Sequence, residues 1–172
     1  MTPLPGALGG GALVGWRLDQ DRFAATWDLG EGAYRFGGRW NSPGVRAVYC
    51  AVDPSTAILE VAVHKGFPVL DTVPHVMTSF TVAAASDAHV VSAEDVPNPN
   101  WLLPGLPSAG QQQFGDALLE AHRFVLIPSV VSRWSWNLLF AAGPATAGGY
   151  TLRRQDRFGL DTRLHPTSRP TR

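Results

Sequence analysis

The sequence predicts a mixed α+β domain, and three observations carry that reading. Residues 46–52 alternate Ala47, Tyr49 and Ala51 with Val48, Cys50 and Val52, the period of a strand with apolar side chains on both faces. Directly after it, Asp53-Pro54-Ser55-Thr56 has the form of a helix start: an acidic residue able to accept a backbone N–H, then a proline suited to the first helical position. The 18 Gly and 14 Pro are spread along all 172 residues, as expected of short elements joined by many turns rather than of a repeat array.

Each element follows in order. Residues 1–13, with glycines at 9–11, read as a flexible lead-in; the folded domain is expected over 14–166, and 167–172 as a frayed tail. The strand at 46–52 feeds a helix from Pro54 to about Lys65, which Gly66 should stop. Residues 76–82 and 88–91 read as strands. Residues 97–113, rich in Pro, Asn, Gly and Gln, read as a long irregular connection of the kind that often carries function. A short helix at 115–122 and a strand at 124–127, ended by Pro128, complete the pattern.

Composition bounds the function. A chain of this length has the size of one domain and can bury roughly 70% of its unfolded surface. Apolar residues make up 45% and aromatics 10%, which excludes disorder along the whole length. Fourteen basic and fourteen acidic residues balance, so no global field recruits nucleic acid or membrane, and neither is expected as a partner. The basic residues do cluster: residues 151–172 carry six Arg against two Asp. The single cysteine, Cys50, excludes an internal disulfide and a Cys-cluster zinc site, and five scattered His give no H-x-x-x-H pair, so no metal is expected. A reducing cytoplasm is the expected location. No stretch approaches the roughly 20 apolar residues of a membrane span.

Several residues are candidates for chemistry. The helix after Asp53 reads Ala57-Ile58-Leu59-Glu60-Val61-Ala62-Val63 and is apolar around nearly its whole circumference, so Glu60 is expected to lack a solvated face. A carboxylate in such surroundings must be paired, protonated or lining a cleft; the alternative is a partly exposed helical Glu. His64, four residues on, projects from the same side, or is a hydrogen-bonded helix-end residue. The segment Gly37-Gly38-Arg39-Trp40-Asn41-Ser42-Pro43-Gly44 combines glycines that allow close backbone approach with the forked donors of Arg39 and Asn41. It lacks the G-x-G-x-x-G and Walker spacings, and a loop anchored by Arg39 and Trp40 explains it equally. Ser129 stands at a strand end with no G-x-S-x-G elbow, so it reads as an orienting or turn-capping hydroxyl rather than a nucleophile. Tyr49 is a stacking surface or a core aromatic, and Arg17 a ligand clamp or a salt-bridged Arg.

Taken together these segments resemble the RES domain family, toxins of bacterial toxin–antitoxin pairs named for an Arg, a Glu and a Ser. The matching stretches run in order: Trp16-Arg17, the 37–44 segment, Val48-Tyr49, Thr56-Ala57-Ile58-Leu59-Glu60-Val61 with His64, Ile127-Pro128-Ser129, and Trp136-Asn137-Leu138-Leu139. Two departures are visible: Phe140-Ala141-Ala142-Gly143 stands where an Asn-Pro turn is common, and the tract around Gln111 to Gln113 lengthens the Glu60 to Ser129 spacing.

The resemblance implies an ADP-ribosyltransferase-like fold, with short antiparallel strands forming a central split sheet with flanking helices, and NAD+ bound in a cleft as substrate, not as cofactor. It implies cleavage of the nicotinamide–ribose bond, to water or phosphate, with Arg17, Glu60 and Ser129 as catalytic residues. Glu60 would stabilise the oxocarbenium-like transition state. Arg17 would hold the pyrophosphate with a bidentate fork, which Lys could not replace. Arg39, Asn41, Tyr49 and Ser129 would complete the NAD+ contacts, Tyr49 by stacking. The implied partner is an Xre-type helix-turn-helix antitoxin that covers the cleft. A homodimer is also expected, since six Trp and a low charge fraction leave apolar surface to cover. Transfer of ADP-ribose to a protein is the alternative within the fold, and a non-catalytic partner-binding domain the alternative outside it.

Overall fold

The computed structural model describes residues 12–164. Strand β1 (Val14–Gln20) is followed by a 3₁₀ segment (Asp21–Thr26) and the short helix α1 (Glu31–Phe36). Strand β2 (Ala47–Ala51) runs into α2 (Pro54–Lys65) and α3 (Phe67–Thr72). Then come β3 (His75–Val82), β4 (Ala88–Val90), α4 (Ala109–Ala121), β5 (Phe124–Pro128), β6 (Trp136–Ala141) and β7 (Tyr150–Phe158).

The strands form one sheet in the order β4-β5-β6-β2-β1-β3-β7, antiparallel except for β4 beside β5. The join in its middle is slight. β1 pairs with β3 from Val14 to Gln20, but with β2 only through Trp16 and Ala51. Two half-sheets therefore meet at one residue pair, which is the split sheet of the expected α+β fold.

Strand alternation sends side chains to opposite faces. Val48 and Cys50 enter a core with Trp27, Phe80, Leu138 and Phe140, whereas Ala47 and Ala51 face the other side, beneath α4 and α2. On that second side, Leu119 of α4 packs with Trp40 and Leu139, and Ala57 and Ala62 of α2 pack with Leu18 and Ala51.

Helix α2 starts and stops as its sequence demands. The Asp53 carboxylate accepts the Thr56 N–H at 2.8 Å and the Thr56 hydroxyl at 2.7 Å, Pro54 opens the first turn, and the Gly66 N–H closes on Ala62 O. Its surroundings differ from the expectation. Leu59 is 38% and Val63 64% exposed, so the helix does have a solvated face, on which these two apolar residues stand with Ser55, His64 and Lys65. Glu60 is half-buried beside it, and His64 is exposed.

The long connection expected over 97–113 is shorter. Residues 109–113 belong to α4, whose first turn is capped by the Ser108 hydroxyl accepting from Gln111 N, and Pro99–Leu102 forms a 3₁₀ turn. Of the lead-in expected over 1–13, residues 1–11 lie outside the described residues. Leu13 is 2% exposed and its carbonyl accepts the Val82 N–H. The tail expected at 167–172 also lies outside the described residues.

Candidate active site

Glu60 projects from the middle of α2 toward the ends of β5 and β6. Its Oε1 accepts two hydrogen bonds, from Ser129 Oγ at 2.9 Å and from Asn137 Nδ2 at 2.8 Å. Ser129 follows Pro128 at the end of β5, and Asn137 lies within β6, paired on one side with Ala51 and on the other with Ile127. The hydroxyl of Ser129 also accepts from the N–H groups of Val131 and Ser132, at 3.2 and 3.0 Å. Its donor and both acceptor positions are therefore used within the protein, and the residue is 3% exposed. The Ser129 hydroxyl thus holds the Glu60 carboxylate and caps its own turn at the same time.

A second serine ties the same loop to the same helix. Ser135 donates to Asp53 Oδ2, so Ser129 and Ser135 grip carboxylates in the middle and at the N-cap of α2. Burial works to raise the Asp53 carboxyl; the donors from Ser135 and Thr56 outweigh it and hold it below the usual carboxylate value.

The glycine-rich segment forms a tight loop around Tyr49. The Tyr49 hydroxyl donates to Asn41 Oδ1 at 2.7 Å and accepts from Trp40 N at 2.9 Å, and burial pushes the phenol well above its usual value. A Cβ at Gly38 would lie 2.6 Å from that hydroxyl, which is why the chain has glycine there. Helix α4 braces the loop from outside: Gln112 Nε2 donates to Gly38 O, Asp116 accepts from Ser42 N, and Gly115 lets the helix backbone approach Trp40 O. The glutamine tract that departs from the family pattern thus supports the loop.

Asn41, expected to offer its amide to substrate, is wholly buried, and its Nδ2 faces the carbonyls of Ala33, Ser42 and Val45. Its work is internal to the loop. Arg39 is held differently. Its guanidinium donates to the carbonyls of Trp101, Leu103 and Gly105, and it takes part in no ion pair among the described residues. Burial lowers its affinity for the proton, opposed by the fields of Glu60 and Tyr49. Arg39 is thus a cation within the field of Glu60 but not in contact with it.

Arg17 is not brought to Glu60. Trp16 and Leu18 pack beneath α2, so Arg17 points to the opposite face, where a Cβ on Gly15 would strike the Phe80 ring. Its fork is already occupied: Nε and a terminal nitrogen grip Asp19 at 2.6 and 2.8 Å, and the other terminal nitrogen donates to Tyr49 O at 2.7 Å. Burial disfavours the charge, but Asp19, with smaller contributions from Cys50 and Asp28, outweighs it and holds the guanidinium above its usual value. Arg17 therefore bridges β1 to β2 where their pairing stops, and the bidentate grip expected for pyrophosphate is made to Asp19.

Asn137 is the residue that sequence reasoning did not single out. It belongs to a stretch carried by the family resemblance, but only the fold brings it to Glu60, 77 positions away.

Comparisons with known proteins agree with this architecture. The family model described as RES domain matches residues 14–161. The chain is 28% identical to "Toxin Res" of Photorhabdus laumondii subsp. laumondii, over 88% of this chain and 97% of that protein. It is 30% identical to "Prs ADP-ribosylating toxin" of a Sphingobium species, over 87% and 94%. Among solved structures, a chain of the M. tuberculosis MbcT–MbcA toxin–antitoxin complex superposes with a TM-score of 0.66 at 21% identity, covering 87% of this chain and 85% of that one.

Proposed function

Because the chain belongs to the RES domain family, we propose that it is the toxin of a toxin–antitoxin pair and that it degrades NAD+ by cleaving the nicotinamide–ribose N-glycosidic bond. The observation that carries this reading is the Glu60 carboxylate, oriented by Ser129 and Asn137, with the Arg39 guanidinium in its field. A relative named as an ADP-ribosylating toxin supports chemistry at the same bond.

Nicotinamide leaves NAD+ as a neutral amide, so the step needs little acid assistance. Positive charge grows on the ribose as the bond breaks. In this reading Glu60 presents its second oxygen, Oε2, to that charge while Oε1 is held by the two donors. Arg39 takes the diphosphate, and the Tyr49 ring, with its hydroxyl locked in the loop, offers a flat face for a base. Arg17 keeps the split between β1 and β2 in shape through Asp19 and Tyr49 O.

Water or phosphate as acceptor makes the protein an NAD+ glycohydrolase or phosphorylase. The relative's name favours a second reading, transfer of ADP-ribose to a protein. Incubation with NAD+ and measurement of free nicotinamide tests both, because both release it; protein-bound label from an adenine-labelled NAD+ separates transfer. No release would contradict both and favour a non-catalytic binding domain.

The proposed partner is an Xre-type helix-turn-helix antitoxin seated over the cleft; the structural neighbour, solved as a toxin–antitoxin complex, supports the coarser part of this, an antitoxin partner. Large apolar side chains stand exposed on the segments that build the site: Phe36 is 81%, Leu106 98% and Trp134 79% exposed. Such surface suits a protein partner or a second copy, hence the proposed homodimer. No helix among the described residues is long and apolar enough to cross a membrane, and we place the reaction in the cytoplasm.

A further inference from the structure

We infer that Asn137 is a positioning residue for Glu60, maintained at a cost in stability; the inference rests on the proposed NAD+ cleavage. An ionised carboxylate only accepts hydrogen bonds, so the amide must turn its nitrogen toward Glu60 Oε1, the orientation found at 2.8 Å. That choice fixes the other end. Asn137 Oδ1 is buried and has no hydrogen-bond partner among the described residues. A buried acceptor left unsatisfied is unfavourable, and most such groups in folded proteins are paired. Leucine, which branches at the same carbon, would occupy this site without an orphaned oxygen. The polar residue therefore serves the carboxylate rather than the packing.

Its place in the fold suits that task. Asn137 stands on β6 with paired strands on both sides, opposite Ala51 and Ile127, so its Cα is fixed by the sheet. Ser129, by contrast, lies beyond a strand end and depends on the 129–135 turn. Glu60 is thus held by one donor anchored in the sheet and one anchored in a turn, both on the same oxygen. With Asn137 removed, Glu60 keeps the turn-anchored Ser129 but loses its sheet-anchored donor, so its direction is held less tightly, which lowers the rate of bond cleavage more than substrate binding.

The test compares the parent with Asn137→Leu and Asn137→Asp in nicotinamide release, together with thermal unfolding. The expected result for Asn137→Leu is a kcat lower by on the order of 10- to 100-fold, a KM within about threefold, and an unfolding midpoint equal to or above the parent's. Asn137→Asp keeps the shape but sets an acceptor against Glu60, and should lose at least as much kcat. Parent-like kcat in either folded variant overturns the positioning role while leaving NAD+ cleavage intact. A lowered midpoint in Asn137→Leu overturns the stability cost. If neither variant folds, Asn137 is a structural residue and the inference fails. No release by the parent itself overturns the proposed reaction, and this inference with it.

Discussion

Ser129 donates its hydroxyl proton to Glu60 at 2.9 Å, closing a contact across 69 residues between the end of β5 and the middle of α2. The bond matters because the same hydroxyl also caps its own turn by accepting from Val131 and Ser132. Orientation of the carboxylate and closure of the loop are therefore one structural event.

Ser129→Ala should remove both functions at once. We expect kcat for NAD+ cleavage to fall by roughly 10-fold with little change in KM, less than for loss of the Glu60 charge, since Asn137 still holds Oε1. Steady-state kinetics of nicotinamide release check this. A loss larger than that of Glu60→Gln would mean that Ser129 takes part in bond cleavage itself.

The two arginines should separate. Arg39→Ala is expected to raise KM for NAD+ by about tenfold or more with the fold intact, because it removes the guanidinium assigned to the diphosphate. Arg17→Ala leaves Asp19, whose side chain is 13% exposed, without its cation. It should cost on the order of 3 kcal/mol in stability, read by urea unfolding. Normal stability in Arg17→Ala combined with weakened NAD+ binding would return Arg17 to the role of phosphate clamp.

Gly115→Ala offers a sharp contrast between local propensity and packing. Alanine is favoured over glycine in a helix by about 1 kcal/mol, yet its Cβ would lie 2.1 Å from Trp40 O. We expect a net loss of roughly 1–3 kcal/mol in unfolding free energy. A stabilised variant would show that α4 does not press on the 37–45 loop.

Acid should weaken the junction of α2 with the loop after β5. The folded Asp53 carboxyl is held below its ordinary value by Ser135 and Thr56 against the effect of burial. Its contribution is therefore complete above the unfolded value, about 3.9, and disappears as pH falls through the lower folded value. Asp53→Ala should cost about 1 kcal/mol near neutrality and flatten the pH dependence of stability below about pH 4. Equal acid sensitivity in parent and variant would contradict this.

How much is legible in the sequence follows from the range of each interaction. Asp53, Pro54 and Gly66 act within a turn or two of their own positions, and the helix they bound is the one observed, Pro54–Lys65. Strand β2 is a central strand buried on both faces and its pattern says so. Strand β7 is not legible: as a sheet edge exposed along most of its length, Thr151 to Arg157 carry no apolar alternation. The start of α4 has a local signal, Ser108 three residues before Gln111, masked by Gly110 and the surrounding prolines. Among site residues, Glu60 and Ser129 each stand out in their own segments, and the fold does bring them together. The Asp19 partner of Arg17 is two residues away in the same strand, yet sequence cannot decide between that carboxylate and a phosphate. The Glu60–Asn137 pair arises only when β6 is laid beside β2, so no local pattern announces it.

The role of the Glu60 charge is tested most directly by nicotinamide release from NAD+ by the parent and by Glu60→Gln, with circular dichroism on both. Glutamine keeps an oxygen for Ser129 and Asn137 and removes only the charge. Release by the parent is expected, with a rate at least about 100-fold lower in a folded Glu60→Gln protein. Near-parental release by that variant would contradict that role.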